Sequence, residues 1–332
     1  MSDDNKNSND KKKHHYVPKA YLNGFTDSEG KLYVYRKDTT KSAFYQSPEN
    51  LGFRNYYYSQ PKEDGTRDNN TLEDYFSSYE AKWPPFVERL RNGECVNNQL
   101  DFFFQFLTMQ MSRTPATRDM IEHLLADSVK EHAKQLDRLG KLPPKPKNHP
   151  DILERAVVSI DPHKSIHAMA EISKGFGILL DRLGFAVVRN DTGNSFITCD
   201  NPVIWFDPST PYDDMRPHTV RLDGPIFLYF PIAKDLAIIG TKDAKPYFSE
   251  LGLYDGKEAT KSVVNTLNKL VARFAYEAFF STEDIHLDLS KEFSEQSPTV
   301  ETYNVIGKNG LLLMSRRVFG VPRKKPKWRV DT

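Results

Sequence analysis

The spacing of apolar positions changes period several times along this chain. Over Lys31–Arg36, Leu32 and Val34 alternate with Tyr33 and Tyr35, the two-residue period of a strand. The polar run Thr26–Gly30 makes a turn before it. Leu51–Tyr58, with three consecutive tyrosines, reads as a second strand. The period then lengthens. Leu72, Phe76 and Tyr79 share a helical face, with Thr71 as the cap and Asp74 three residues on. Pro84 and Pro85 divide Leu72–Leu90 into two helices or kink it sharply. Asn98–Ser112 is apolar on all sides and predicts a buried helix. Thr114 and Pro115 open another, which runs through Leu139. Gly140–Pro150 mixes prolines with lysines and predicts a surface loop. Ser165–Leu183 is helical, and Phe185–Arg189, Ser195–Thr198, Val203–Phe206, Phe227–Pro231 and Leu236–Ile239 read as strands. Lys257–Phe280 is expected to be one long helix, and Val300–Tyr303 is a weaker strand signal.

This order predicts an α+β fold, mostly helical, with a small mixed or antiparallel sheet. Residues 1–13 read as a disordered tail, 14–306 as one globular domain with a Pro/Lys loop near 140–150, and 307–332 as a basic C-terminal segment.

Composition narrows the function classes. The 332 residues carry 46 Lys+Arg against 45 Asp+Glu, so no global field steers a polyanion. Two cysteines, Cys95 and Cys199, exclude a disulfide scaffold and a four-thiolate zinc site. No apolar run approaches the roughly 20 residues of a membrane span, and the start lacks a secretory apolar region. The chain is expected to be cytoplasmic, without membrane insertion. There is no glycine-rich phosphate loop, no HExxH helix, and Ser195 lacks a nucleophile elbow.

The most distinctive segment is His14-His15-Tyr16-Val17-Pro18, with Tyr21, Leu22 and Phe25 behind it and Lys11–Lys13 before it. Histidine suits a general base or a metal ligand because its charge changes near neutral pH. Adjacent strand residues face opposite ways, so one site would use one of the pair. Surface decoration or local hydrogen bonding is the plainer alternative.

The pattern HHYVPxxYLxxF resembles the opening of a mostly bacterial family of unknown function, DUF4238. Further segments fit the same resemblance: Gln110–Arg118, Phe196–Val203, Pro231, Asn268 and Ala275. One departure is Cys199, where relatives carry serine, which argues against an essential nucleophile there. The resemblance implies a shared fold and a shared polar site, and no known reaction. The histidine pair also resembles the HHxxP start of some HNH-type nucleases. No histidine lies between Pro18 and Tyr35, and Asn50 and Asn55 are on no expected helix.

Other polar residues complete the candidate site. Glu73 and Glu80 are two helical turns apart and could bind a hard cation or exchange protons; a solvated face is the alternative. Gln110, Arg113 and Arg118 flank the break at Ser112–Pro115, where guanidinium groups could hold a phosphate or lock two helices. Asp200 and Asn201 follow a strand and could face a site mouth or cap their own turn. Asn268, on an apolar helical face, calls for backbone partners at a strand end. The C-terminal Arg316, Arg317, Arg323, Lys324, Lys325, Lys327 and Arg329 could touch phosphates with Trp328, or be solvated.

Two readings follow. In the first, the chain is a metal-assisted nuclease or other phosphoesterase, with a divalent ion as cofactor. His14, His15, Glu73 and Asp200 are the catalytic set, with His15, Glu73 and Asp200 on the metal and converging within about 8 Å. Gln110, Arg113, Arg118 and Asn201 bind a nucleic acid or other phosphate-bearing ligand. In the second, it is a non-catalytic binding or regulatory module whose surface uses Phe53, Tyr56–Tyr58 and Trp205.

Overall fold

A computed structural model describes residues 11–221, 223–307 and 310–323. Most of the tail expected over 1–13 lies outside these residues, as do Lys324, Lys325, Lys327, Trp328 and Arg329. The class is α+β, with 40% helix and 22% strand. Helix is thus the largest class without being most of the chain, and strands fill several sheets instead of one.

Five strands form the largest sheet, in the order Tyr254–Asp255, Gly184–Arg189, Leu236–Thr241, Phe227–Ala233, Ile204–Phe206. All neighbours are antiparallel except the first pair, which is parallel. A second sheet has four antiparallel strands, in the order Phe44–Gln46, Leu32–Arg36, Ala278–Ser281, Thr198–Cys199. The helices Trp83–Arg91 and Leu100–Ser112 bury Trp83, Phe86, Phe103 and Phe106 in one core with Phe230. The amphipathic helix Lys261–Phe274 packs Val264, Leu267 and Val271 into a second core.

Several boundaries differ from expectation for identifiable reasons. Of the two outcomes expected at the proline pair, two helices form, Thr71–Glu80 and Trp83–Arg91, and the prolines sit in the first turn of the second, where missing N–H groups do no harm. Thr71 is the first residue of the helix Thr71–Glu80 rather than its cap. Asp68 accepts the N–H groups of Asn70 and Thr71 there instead. The helix expected over Lys257–Phe280 stops at Phe274, and Ala278–Ser281 becomes a central strand. The cause is Asp200, whose carboxylate takes the N–H groups of Tyr276, Glu277 and Ala278 and so draws them away from helical pairing. Ser297–Gly307 and Gly310–Gly320 form a long antiparallel hairpin. Its second strand holds Arg316 and Arg317.

Segments of the HHYVP pattern are tied to distant parts of the fold. Tyr21 Oη donates to the Pro231 carbonyl at 2.6 Å and lies 2.6 Å from Thr198 Oγ1. Asn268 accepts the Ile197 N–H and donates to the Ser195 carbonyl, so this buried amide pairs with backbone at a strand end. Gly52 accepts the N–H groups of Tyr16 and Val17 and has φ +61°, a conformation open to glycine.

Candidate functional site

The short strand Lys13–His15 pairs with Phe53–Asn55, and its pleat sends the two imidazoles to opposite faces. His14 is fully buried. Its Nδ1 accepts the Tyr58 N–H at 2.8 Å, its Nε2 lies 2.9 Å from the Lys11 carbonyl, and the ring stacks on Tyr58. Both nitrogens are therefore engaged with backbone, which leaves neither for the base or ligand role the sequence offered.

His15 sits differently. Its ring packs against Phe53, and its Nε2 is buried with no hydrogen-bond partner. Burial lowers its pKa below 6.5, although the Glu80 charge and a hydrogen bond to the Glu49 backbone pull the other way. A neutral ring with an open Nε2 results. Against its backbone N–H lies Glu73, in the first turn of Thr71–Glu80 and only 7% exposed. Glu73 Oε1 accepts the His15 N–H at a long 3.5 Å, and Oε2 is buried without a partner. Burial, then the Glu80 charge, push its pKa up to about 7. The helix N-terminus and Arg113 favour its charged form, but desolvation wins.

Arg113 closes the other side. It is fully buried and stacks over Phe76. It donates to Glu80 Oε1 at 2.8 Å and to Gln110 Oε1 at 3.1 Å. Gln110 in turn donates to the Tyr16 carbonyl at 3.0 Å, so the HHYVP segment is fastened directly to the end of Leu100–Ser112. His15, Glu73, Glu80, Gln110 and Arg113 thus form one connected group. The two terminal nitrogens of Arg113 go to Glu80 and Gln110, while its Nε is buried without a hydrogen-bond partner.

The remaining expected residues lie elsewhere. Asp200 is 1% exposed, and both its oxygens are occupied by the three N–H groups already described. Burial and the Glu277 charge raise its pKa to about 6. Among the described residues no three His, Cys, Asp or Glu side chains gather as a metal site. The expected set of His15, Glu73 and Asp200 therefore does not assemble, and His15 Nε2 and Glu73 Oε2 are the two donors left to a cation. Arg118 donates to the Tyr57 and Pro162 carbonyls and to Ser165 Oγ, stacking on Tyr57 at 4.0 Å; it locks two helices. Asn201 faces Thr114 Oγ1 and donates to the Phe274 carbonyl.

A second polar group, which the sequence pattern does not reveal, gathers around Tyr57. Arg54 pairs with Glu277 at 2.6 Å, and Tyr276 Oη donates to Asp119 at 2.8 Å. Tyr57 Oη is buried there without a partner, and burial raises its pKa to about 12. Asp119 follows Arg118 directly, and Tyr276 follows Ala275, so both abut segments already singled out; nothing in their spacing showed that they would meet.

The family model described as a protein of unknown function, DUF4238, matches residues 13–284, and the chain belongs to that family. No curated protein and no solved structure gives a significant match. Among the described residues, no helix is long and apolar enough to cross a membrane.

Proposed function

We propose that this DUF4238 protein is a hydrolase of a phosphate-bearing substrate, with His15 and Glu73 as its acid–base pair. The observation that carries the reading is the pair of buried, unpartnered atoms, His15 Nε2 and Glu73 Oε2, on one small group of side chains. An unmade hydrogen bond on a buried polar atom costs about 1–3 kcal/mol. Two such atoms together are what a site kept for a ligand requires. Lys11–Lys13 lead into the strand, with Lys12 and Lys13 exposed, and supply cationic charge suited to an anionic substrate.

The directions of the two shifts support a division of roles. Neutral His15 takes a proton from water at Nε2 as the water oxygen attacks phosphorus. The bond from phosphorus to the leaving oxygen breaks, and Glu73, protonated below about 7, gives that oxygen its proton. The site ends with one added proton on His15 and one fewer on Glu73, and exchange with solvent restores both. Burial first, and then the charge of Glu80 held by Arg113, favour protonated Glu73. The free thiols Cys95 and Cys199 suit the reducing cytoplasm.

The test is turnover of an aryl phosphodiester and of labelled single- and double-stranded oligonucleotides, with EDTA and with added divalent ions. Hydrolysis by wild type that is lost in Glu73→Gln and His15→Ala while both variants remain folded supports the reading. Dependence on an added ion would assign the same two residues to a metal-assisted version. Binding of these ligands without turnover would overturn hydrolysis in favour of a binding module.

A further inference from the structure

The hairpin Ser297–Gly307 with Gly310–Gly320 lies beyond the residues 13–284 that the family model matches, and it is separate from the His15–Glu73 group. Among the described residues it pairs with no other strand. One of its faces is fastened to the helix Pro115–Arg138. Thr302 Oγ1 donates to Asp127 at 2.7 Å, and Asn304 Nδ2 donates to Glu131 at 3.2 Å. Side chains alternate along a strand, so Tyr303 and Val305 point the other way, as do their cross-strand partners Met314 and Leu312. These four are between 40% and 56% exposed. A two-stranded ribbon is marginal by itself, and an outward apolar face on it marks a contact surface.

Positive charge gathers beside this face. Residues 316–332 carry seven Arg and Lys against Asp331, a net +6, whereas the whole chain is only +1, so the remainder is net acidic. The place where this charge enters is fixed by Arg323. It pairs with Asp127 at 2.9 Å, the same carboxylate that accepts from Thr302, next to Tyr303. Lys324, Lys325, Lys327 and Arg329 follow that anchor in sequence. At no more than about 3.6 Å per residue, all four stay within roughly 20 Å of it. Arg316 is already paired, with Glu301 at 3.0 Å, and its guanidinium lies 5.8 Å from the Tyr303 ring. That ring is therefore no open platform for a nucleobase.

We infer that the hairpin and the basic residues after it bind the surface of an anionic phospholipid bilayer. Val305, Leu312 and Met314 enter the boundary between headgroups and acyl chains, and Lys324, Lys325, Lys327 and Arg329 meet the acidic headgroups. Stable attachment to a bilayer takes two signals, and an apolar face next to a polybasic run supplies both. A nucleic acid would use the same lysines but gain nothing from an outward Val, Leu and Met. The contact lies on the membrane without crossing it: among the described residues no helix is long and apolar enough to span one.

The test is co-sedimentation of the whole chain with phosphatidylcholine vesicles, with and without phosphatidylserine, at low and high salt. Wild type should bind the anionic vesicles at least about tenfold better than the neutral ones, and high salt should release it. Leu312→Glu with Met314→Glu should weaken anionic binding about tenfold, and Lys324→Glu with Lys325→Glu should do the same. Leu312 and Met314 face away from the helix, so the first pair should melt like wild type; the lysine pair stands as a separate readout should it not. Equal sedimentation with both kinds of vesicle overturns the proposal, as does anionic binding that a folded variant of either pair leaves unchanged. Two other results would also overturn it in the absence of vesicle binding. Oligonucleotide binding lost in the lysine pair would make the partner a nucleic acid. A concentration-dependent dimer lost in Leu312→Glu would make it a second copy of the chain.

Discussion

His15 Nε2 and Glu73 Oε2 are both buried without a hydrogen-bond partner, while the N–H of the same histidine reaches the other Glu73 oxygen at 3.5 Å. One residue thus carries an unpartnered ring nitrogen and a backbone tether to the carboxyl that the proposal pairs with it.

The two histidines should respond oppositely to truncation. His14→Ala removes a stacked ring and two contacts with backbone, and should cost about 2–4 kcal/mol in urea unfolding. His15→Ala leaves those contacts intact and should stay within about 1 kcal/mol of wild type while abolishing turnover. Equal stability losses would show that His15 is framework as well.

Arg113→Met should cost about 3 kcal/mol, because Glu80 would be left partly buried without its partner. Adding Glu80→Gln to it should recover part of that loss. A double variant as unstable as the sum of the two single ones would mean the ion pair is not what Arg113 provides.

Glu73 gives stability a definite pH slope. Its folded pKa of about 7 lies above the ordinary 4.5, so the folded state binds more protons between those values. Its contribution is fully present below about 4.5 and is lost as pH rises through about 7. Glu73→Gln should therefore flatten the urea midpoint over this window and be more stable than wild type at about pH 8. A variant that keeps the full wild-type slope would refute the shift.

Gly52 fastens the whole segment. A Cβ there would come 2.9 Å from Val17 Cβ and 3.0 Å from the Val17 carbonyl, at a φ of +61°. Gly52→Ala should cost about 2 kcal/mol or more and reduce turnover by shifting His15. Circular dichroism melts and the aryl phosphodiester assay would measure both.

Much of the fold was legible because it depends on local rules. The periods over Lys31–Arg36 and Thr114–Leu139 correspond to a strand and a helix close to the expected bounds. The reading failed where a distant group decides. Asp200 ends a helix far along the chain, at Phe274, by capturing three N–H groups, and no local period records that. The site divides in the same manner. His15, Glu73, Gln110 and Arg113 were legible as polar misfits beside apolar faces, and they meet. Asp200 looked the same in sequence, but its carboxylate is consumed by backbone. Arg54, Asp119, Tyr276 and Glu277 lay in plain surroundings and meet only through the fold.

The most direct test of the acid–base pair is the pH dependence of kcat/KM for phosphodiester hydrolysis, in wild type and in Glu73→Gln and Glu80→Gln. Wild type should give a bell with its acid limb below 6.5, from His15, and its basic limb near 7, from Glu73. Glu80→Gln should move the basic limb to lower pH, and Glu73→Gln should lose at least about 100-fold at the optimum. A Glu73→Gln variant with the wild-type rate and the wild-type bell would contradict the account.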